Sequence, residues 1–181
     1  MVFCGRFLVI LLLLGCGESQ DLSEKPLYEG PIMELDSVNT LISDSAKVML
    51  RKQAPHEEQF ESGDVIWSEG LFLRYYDKDG SLSSTFKSDF AEYIKETDLY
   101  KGTGNVVVQN VTNGDELKTE ELFWDPSEHQ FYTERFVTIT SDGELHTGEG
   151  LTANEDFTSY TILKPAGTIT MNESESTDEA N

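Results

Sequence analysis

The residues that could do chemistry here are two cysteines, three histidines, two Gly-x-Gly segments and several adjacent acids in a chain of 181 residues. A zinc-protease helix needs two histidines four apart, with a glutamate after the first. His56 stands in Pro55-His56-Glu57-Glu58 with no second histidine near it, and reads as part of a polar loop. His129 and His146 flank turn sequences, so all three read as surface side chains and no metal site is expected. Gly102-Thr103-Gly104 and Gly148-Glu149-Gly150 lack the Lys-Ser/Thr of a phosphate-binding loop and open no helix. Bulges or tight bends within strands are the expectation for both. Glu57-Glu58 and Glu120-Glu121 could imitate the carboxylate pair of a glycosidase, but neighbours on a strand point to opposite faces. At a net charge of −21 adjacent acids follow from composition, and a solvated face is expected. No catalytic constellation and no cofactor site emerges, so the chain reads as non-enzymatic.

Cys16 is different, because of what precedes it. Arg6 is followed by an apolar run from Phe7 to Leu14, and the segment closes as Leu13-Leu14-Gly15-Cys16. That run is far shorter than the ~20 residues that cross a hydrocarbon core, but it suits the apolar centre of a secretory signal. The ending resembles the lipobox of bacterial lipoproteins. The resemblance implies removal of residues 1–15 and acylation of Cys16, with palmitate among the usual chains. Acyl chains contribute about 0.8 kcal/mol per buried CH₂, so paired chains hold a protein to a membrane that it does not span. Cys4 leaves with the signal, so no disulfide within the mature chain is expected and no thiolate remains for catalysis.

Loss of Arg6 makes the mature chain more negative still than −21. Such a field repels nucleic acid and anionic membrane surfaces. Residues 16–36 read as the lipidated N-terminus and a polar tether, and residues 172–181 (NESESTDEAN) as a disordered acidic tail.

Between them, residues 37–171 must position whatever function exists, and they read as strands. Leu71, Leu73 and Tyr75 alternate with Phe72, Arg74 and Tyr76, Val106 and Val108 with Val107 and Gln109, and Val137 and Ile139 with Thr138 and Thr140. Asp79-Gly80, Asn113-Gly114, Asp125-Pro126 and Asp142-Gly143 supply turns between these runs. Residues 88–96 (SDFAEYIKE) are the best helical candidate, with only Phe90, Tyr93 and Ile94 as large apolar residues. The segments around 102–122 and 134–151 form two loosely similar strand–turn–strand units, which should stack to bury their apolar faces. The pattern predicts an all-β antiparallel sandwich, barrel or jelly roll.

The order of several segments resembles the LptC family, the membrane-tethered periplasmic component of lipopolysaccharide export. They are residues 67–77 (WSEGLFLRYYD), Gly80, 88–93 (SDFAEY), 99–110 (LYKGTGNVVVQN), 117–125 (LKTEELFWD) and 148–160 (GEGLTANEDFTSY). The resemblance implies a twisted antiparallel β-jelly roll with an open slot between two sheets, whose apolar interior receives the acyl chains of lipopolysaccharide. It also implies docking, edge to edge, with the periplasmic domains of the Lpt ABC transporter and with an LptA-like bridge protein. Familiar members carry a single N-terminal membrane helix, where this chain has Cys16. That departure puts in doubt any regulatory role carried by the helix, but not the role of the domain.

The alternation nominates Val65, Trp67, Leu71, Leu73, Tyr75, Val106, Val108, Leu122, Trp124, Val137 and Ile139 as slot lining, or equally as closed core. Ala46, Val48 and Leu50 are the expected N-terminal docking edge for the transporter. Tyr160 and Ile162, with Thr168 and Thr170, are the expected C-terminal edge for the bridge protein, and Lys164-Pro165 limits pairing between those two stretches. The acidity implies that an anionic head group stays outside the slot in water, with divalent cations as a means of screening it. The alternative is an envelope lipoprotein whose sandwich binds carbohydrate or protein on a platform of Tyr75, Tyr76, Trp124, Phe131 and Tyr132. The periplasmic face of the inner membrane is the expected location, the outer membrane being the other envelope site for such an anchor.

Overall fold

The computed structural model describes residues 28–154 and 157–167; Cys16, Thr168, Thr170 and the acidic tail lie outside the described residues. All regular elements among the described residues are strands: β1 (Met33–Asp44), β2 (Lys47–Gln59), β3 (Val65–Trp67), β4 (Leu71–Tyr76), β5 (Leu82–Ser88), β6 (Phe90–Ile94), β7 (Leu99–Asn110), β8 (Glu116–Asp125), β9 (Gln130–Ser141), β10 (Glu144–Asn154) and β11 (Tyr160–Ala166). They make one antiparallel sheet in which β1 pairs with β2 at one end and β11 with β10 at the other. No helix among the described residues is long and apolar enough to cross a membrane.

The register reduces this to a simple meander. β2 pairs with β4 at Leu50↔Tyr75 and with β3 at Gln59↔Val65, so β3 and β4 are two halves of one pass across the sheet. β7 pairs with β5 at Asn110↔Ser84 and with β6 at Leu99↔Ile94, so β5 and β6 are likewise one pass. Their breaks, at residues 68–70 and at Asp89, lie side by side. Breaks in the neighbouring passes fall near the same line, while two further register shifts, at Ile42/Ser43 and Tyr75/Tyr76, lie closer to strand ends. Between β1 and β2 the ladder steps from Asp36↔His56 to Val38↔Ala54, over Ser37 with a φ of 54° and over Pro55, which has no N–H. Between β7 and β8 it slips from Thr103 to Val106, between β8 and β9 from Thr119 to Phe123, and between β10 and β9 from Glu149 to Leu151. β-Bulges bend the strand that carries them. Bulges in register across a meander therefore make one crease, and the sheet folds along it into two facing leaves. The two walls of the expected antiparallel β-jelly roll are the facing halves of this one continuous sheet.

Gly104 and Gly150 sit on this line with φ of 76° and 77°, the bends expected of the Gly-x-Gly segments. The four turn sequences join adjacent strands, and Asp142-Gly143, with φ of 51° and 80°, makes the two-residue turn between β9 and β10. Residues 88–96 are not helical. Ala91 of β6 is buried and Tyr93 lies on its side of the strand, while β3 and β7 take the backbone hydrogen bonds on either edge. With so few apolar residues a helix there would bury little, whereas the two ladders satisfy the whole segment.

Inside the fold, Val106, Val108, Leu117, Leu122, Val137, Ile139, Leu151 and Ala153 form one closed cluster toward the C-terminal passes. Ala54, Trp67, Leu71 and Ala91 form a smaller one toward the N-terminal passes. Phe86 packs against both. Burying a Val, Leu or Ile side chain contributes roughly 1.5–3 kcal/mol, so the first cluster carries most of the fold's apolar stabilisation.

Candidate functional site

Beside the closed cluster the leaves do not meet, and a cavity of about 630 Å³ lies between them. That is within the range of about 300–1,000 Å³ typical of small-molecule sites. One wall comes from β2, β4 and β5, through Leu50, Leu73, Tyr75 and Phe86; the other from β3, β6, β7 and β8, through Val65, Trp67, Tyr93, Tyr100, Leu122 and Trp124. Thr40 and Ile42 of β1 also line it, so the cavity runs out to the strand that ends the sheet.

Seven of the eleven nominated residues line this cavity: Val65, Trp67, Leu71, Leu73, Tyr75, Leu122 and Trp124. Val106, Val108, Val137 and Ile139 are in the closed cluster instead, where Val137 is fully inaccessible to solvent. The inward alternation is the same in both groups. What separates them is whether the opposite leaf is close enough to fill the space. Burial pushes the Tyr75 hydroxyl up to about 12, with Tyr100 adding to the effect.

Charged groups also line the cavity, namely Lys52, Glu57, Glu92 and Lys101, and Glu57 is the buried one. Glu57, expected on a solvated face, is buried at 3% exposure and lines the cavity. Its Oε2 accepts from Lys52 Nζ at 2.5 Å and from Trp67 Nε1 at 2.7 Å, and its Oε1 from Gln59 Nε2 at 2.9 Å. The Lys52 ammonium also lies 5.1 Å from the centre of the Trp67 ring. Burial pushes the Glu57 carboxyl up, but the hydrogen bonds from Lys52, Gln59 and Trp67 outweigh it and hold it below the ordinary glutamate value. Sequence reasoning missed this group because the phase of β2 changes at Pro55. Residues 50 and 52 face the cavity, and so do 57 and 59.

His56 lies in β2, not in a loop. Its Nδ1 is 2.8 Å from Asp36 Oδ1 and its Nε2 is 3.5 Å from Glu58 Oε1. The aromatics of the alternative platform do not share one face: Tyr75, Trp124 and Phe131 line the cavity, while Tyr132 stacks on Phe123 with centroids 5.0 Å apart. A second, more open concavity of about 710 Å³ lies at the crease near Pro55, Gly70 and Asp89, beside the buried and unpartnered Ser88 hydroxyl.

The N-terminal edge differs from the expectation. Ala46 is in the turn between β1 and β2, where Ser45 and Ala46 have φ of 51° and 65°. Val48 and Leu50 belong to β2, which β1 covers throughout, so β1 is the terminal strand. Its polar composition concealed it in the sequence. Leu41 and Ile42 on β1 are more than half exposed. At the other end Tyr160 and Ile162 lie in β11, opposite Ala153 and Leu151 of β10. Pro165 sits in this strand opposite Gly148, and a proline is tolerated on such an edge.

No curated protein matches the chain. Residues 39–170 match the family described as Lipopolysaccharide-assembly, LptC-related. That match takes in more than half of the 181 residues, so the chain belongs to the LptC-related family and to the machinery of lipopolysaccharide transport.

Proposed function

We propose that this protein is a lipid-anchored relay for lipopolysaccharide on the periplasmic face of the inner membrane, covering the acyl chains between the leaves of its folded sheet. Chains crossing water need continuous cover, because each exposed CH₂ costs about 0.8 kcal/mol. The observation that carries the reading is the apolar cavity that runs out to β1, next to a core that is closed elsewhere. Lipopolysaccharide enters from the transporter's periplasmic domains, which add a strand to β1. It leaves toward an LptA-like bridge protein docked on β11. Unpaired strand edges are templates for such augmentation. Cys16, through its acyl chains, takes the place of a membrane helix and keeps β1 near the transporter.

The test is photocrosslinking in living cells from Leu73, Tyr75 and Trp124, with Val137 as the closed-core comparison. Lipopolysaccharide adducts from the three cavity positions, stronger than from Val137, are expected. Equal yields, or none, would overturn the slot. Mass spectrometry of the mature N-terminus checks the anchor separately: an unacylated Cys16 would remove it.

A further inference from the structure

A charge pair inside an apolar slot is costly to keep, since taking two ions from water costs several kcal/mol each before their attraction is counted. Hydrophobic residues in place of Lys52 and Glu57 would close the wall more cheaply, so the pair calls for a reason beyond packing. The hydrogen bonding is lopsided. Glu57 is served by three donors. Lys52 has three N–H groups, and among the described residues Glu57 is its one hydrogen-bond partner. The other two remain for a ligand. Lys52 stands between Thr40 of β1, which also lines the cavity, and Leu73 of β4, and its side chain keeps 20% exposure, so it lies on the β1 side of the cavity within reach of solvent.

Among the described residues it has no competitor within the slot. Lys101 also borders the cavity, but its ammonium is 3.6 Å from Glu92 and 3.3 Å from Glu121, on the row opposite to Tyr100 and Gly102. The net charge of −21 by itself keeps an anionic head group out in bulk water. Locally, the Lys52–Glu57 pair is net neutral, so that repulsion is absent beside it and Lys52 offers a cationic donor.

We propose that Lys52 is an anion-binding point on the β1 side of the slot, taking the phosphate or carboxylate head of an amphiphile whose chain fills the cavity. The inference rests on the slot reading above and deepens it. Glu57 then acts as a resident counter-ion. It keeps Lys52 charged and aimed while the slot is empty, and shares it when an anion arrives. A ligand with acceptors is favoured over one with donors, and a bare inorganic anion gains nothing from the apolar walls.

Both tryptophans of the chain, Trp67 and Trp124, line the cavity, so their fluorescence reports occupancy. The experiment titrates the purified full chain with dodecyl phosphate, dodecanoate, dodecanol and inorganic phosphate. The expected result is a preference of about tenfold for either anionic amphiphile over dodecanol, the scale of one charge-assisted hydrogen bond, and no response to inorganic phosphate. Lys52→Met should abolish the preference and Lys52→Arg should retain it. Glu57→Gln, which removes the competitor, should increase it, an outcome that a merely structural ion pair would not give. If Lys52→Met does not fold, the Arg and Gln variants still decide. Equal affinity for dodecanol and dodecyl phosphate, or an unchanged preference in Lys52→Met, would overturn the anion site while leaving the slot intact. A response to inorganic phosphate equal to that of dodecyl phosphate would also overturn it. Failure of all chain-bearing probes to bind would overturn slot and anion site together.

Discussion

The ring of Phe86 occupies the space that a side chain at Gly102 would need: a Cβ there would lie 2.5 Å from Phe86 Cζ and 3.4 Å from Ser88 Cβ. Gly102 is in β7, and among the described residues Phe86 in β5 is the one side chain that packs against both apolar clusters. The ring therefore divides the closed core from the open cavity, and the absent side chain at 102 lets it do so.

Gly102→Ala should push Phe86 out of this position. Overpacking of this kind costs roughly 1–3 kcal/mol. Denaturant melts should show that loss, and crosslinking from Leu73 should change more than crosslinking from positions near β1.

Glu57→Gln should destabilise the fold by roughly 2–3 kcal/mol, since Lys52 loses its counter-ion and two other donors lose a charged acceptor. The pH dependence follows from the sign of the shift. Glu57 is held below its ordinary value, so its contribution is present above the unfolded pKa of about 4.5 and fades as pH falls through the folded value. Urea melts of the two proteins should converge in acid; a constant gap would show that the charge is not what matters.

Much of this was legible in the chain beforehand, and the residues show why. Asp79-Gly80, Asn113-Gly114 and Asp142-Gly143 act locally, through backbone angles that their neighbours cannot override, and each lies in its turn. Alternation within a half-strand, such as Leu71-Leu73-Tyr75, is just as local. The crease is not, because a single extra residue, as between Thr119 and Leu122, looks like noise in a period of two. Glu57 stayed hidden for that reason. Val137 and Leu73 could not be separated either, since alternation gives the face of a strand and not the distance to the wall opposite.

His56 ties the terminal strand to its neighbour through Asp36, and its hydrogen bond to that carboxylate raises its pKa above the ordinary 6.5. A raised value means that the stabilising contribution is complete below the unfolded pKa and disappears as pH rises through the folded one. Amide exchange in β1, compared with His56→Gln at each pH, should show extra protection at about pH 6 and little at about pH 8. Equal protection in the two proteins throughout would remove this role.

Gly150→Ala and Gly143→Ala make a matched pair. Both positions have positive φ, 77° and 80°, but a Cβ at 150 would lie 2.9 Å from Leu163 Cδ1, while one at 143 meets nothing within 4 Å. Backbone strain alone costs about 1–2 kcal/mol, so Gly143→Ala should lose that much and Gly150→Ala more. Thermal melts measure the difference.

Leu41→Lys on β1 and Leu163→Lys on β11 put charges on the two exposed edges and should change stability by about 0.5 kcal/mol or less. The first should weaken recovery with the transporter, the second recovery with the bridge protein. Loss of the same partner from both variants would count against separate docking ends.

The crease has a mechanical consequence. A sheet that bends along one line shared by its central passes would flex most easily in the angle between its leaves, because the ladders on either side resist shear. A strand docking on β1 that pries the leaves apart would open the far end as well, through the same fold line. Bends scattered out of register would let each pass yield alone, and nothing would travel. Were the leaves to move, the bulges aligned along the crease would give them one shared hinge, and load at one rim would be felt as aperture at the other.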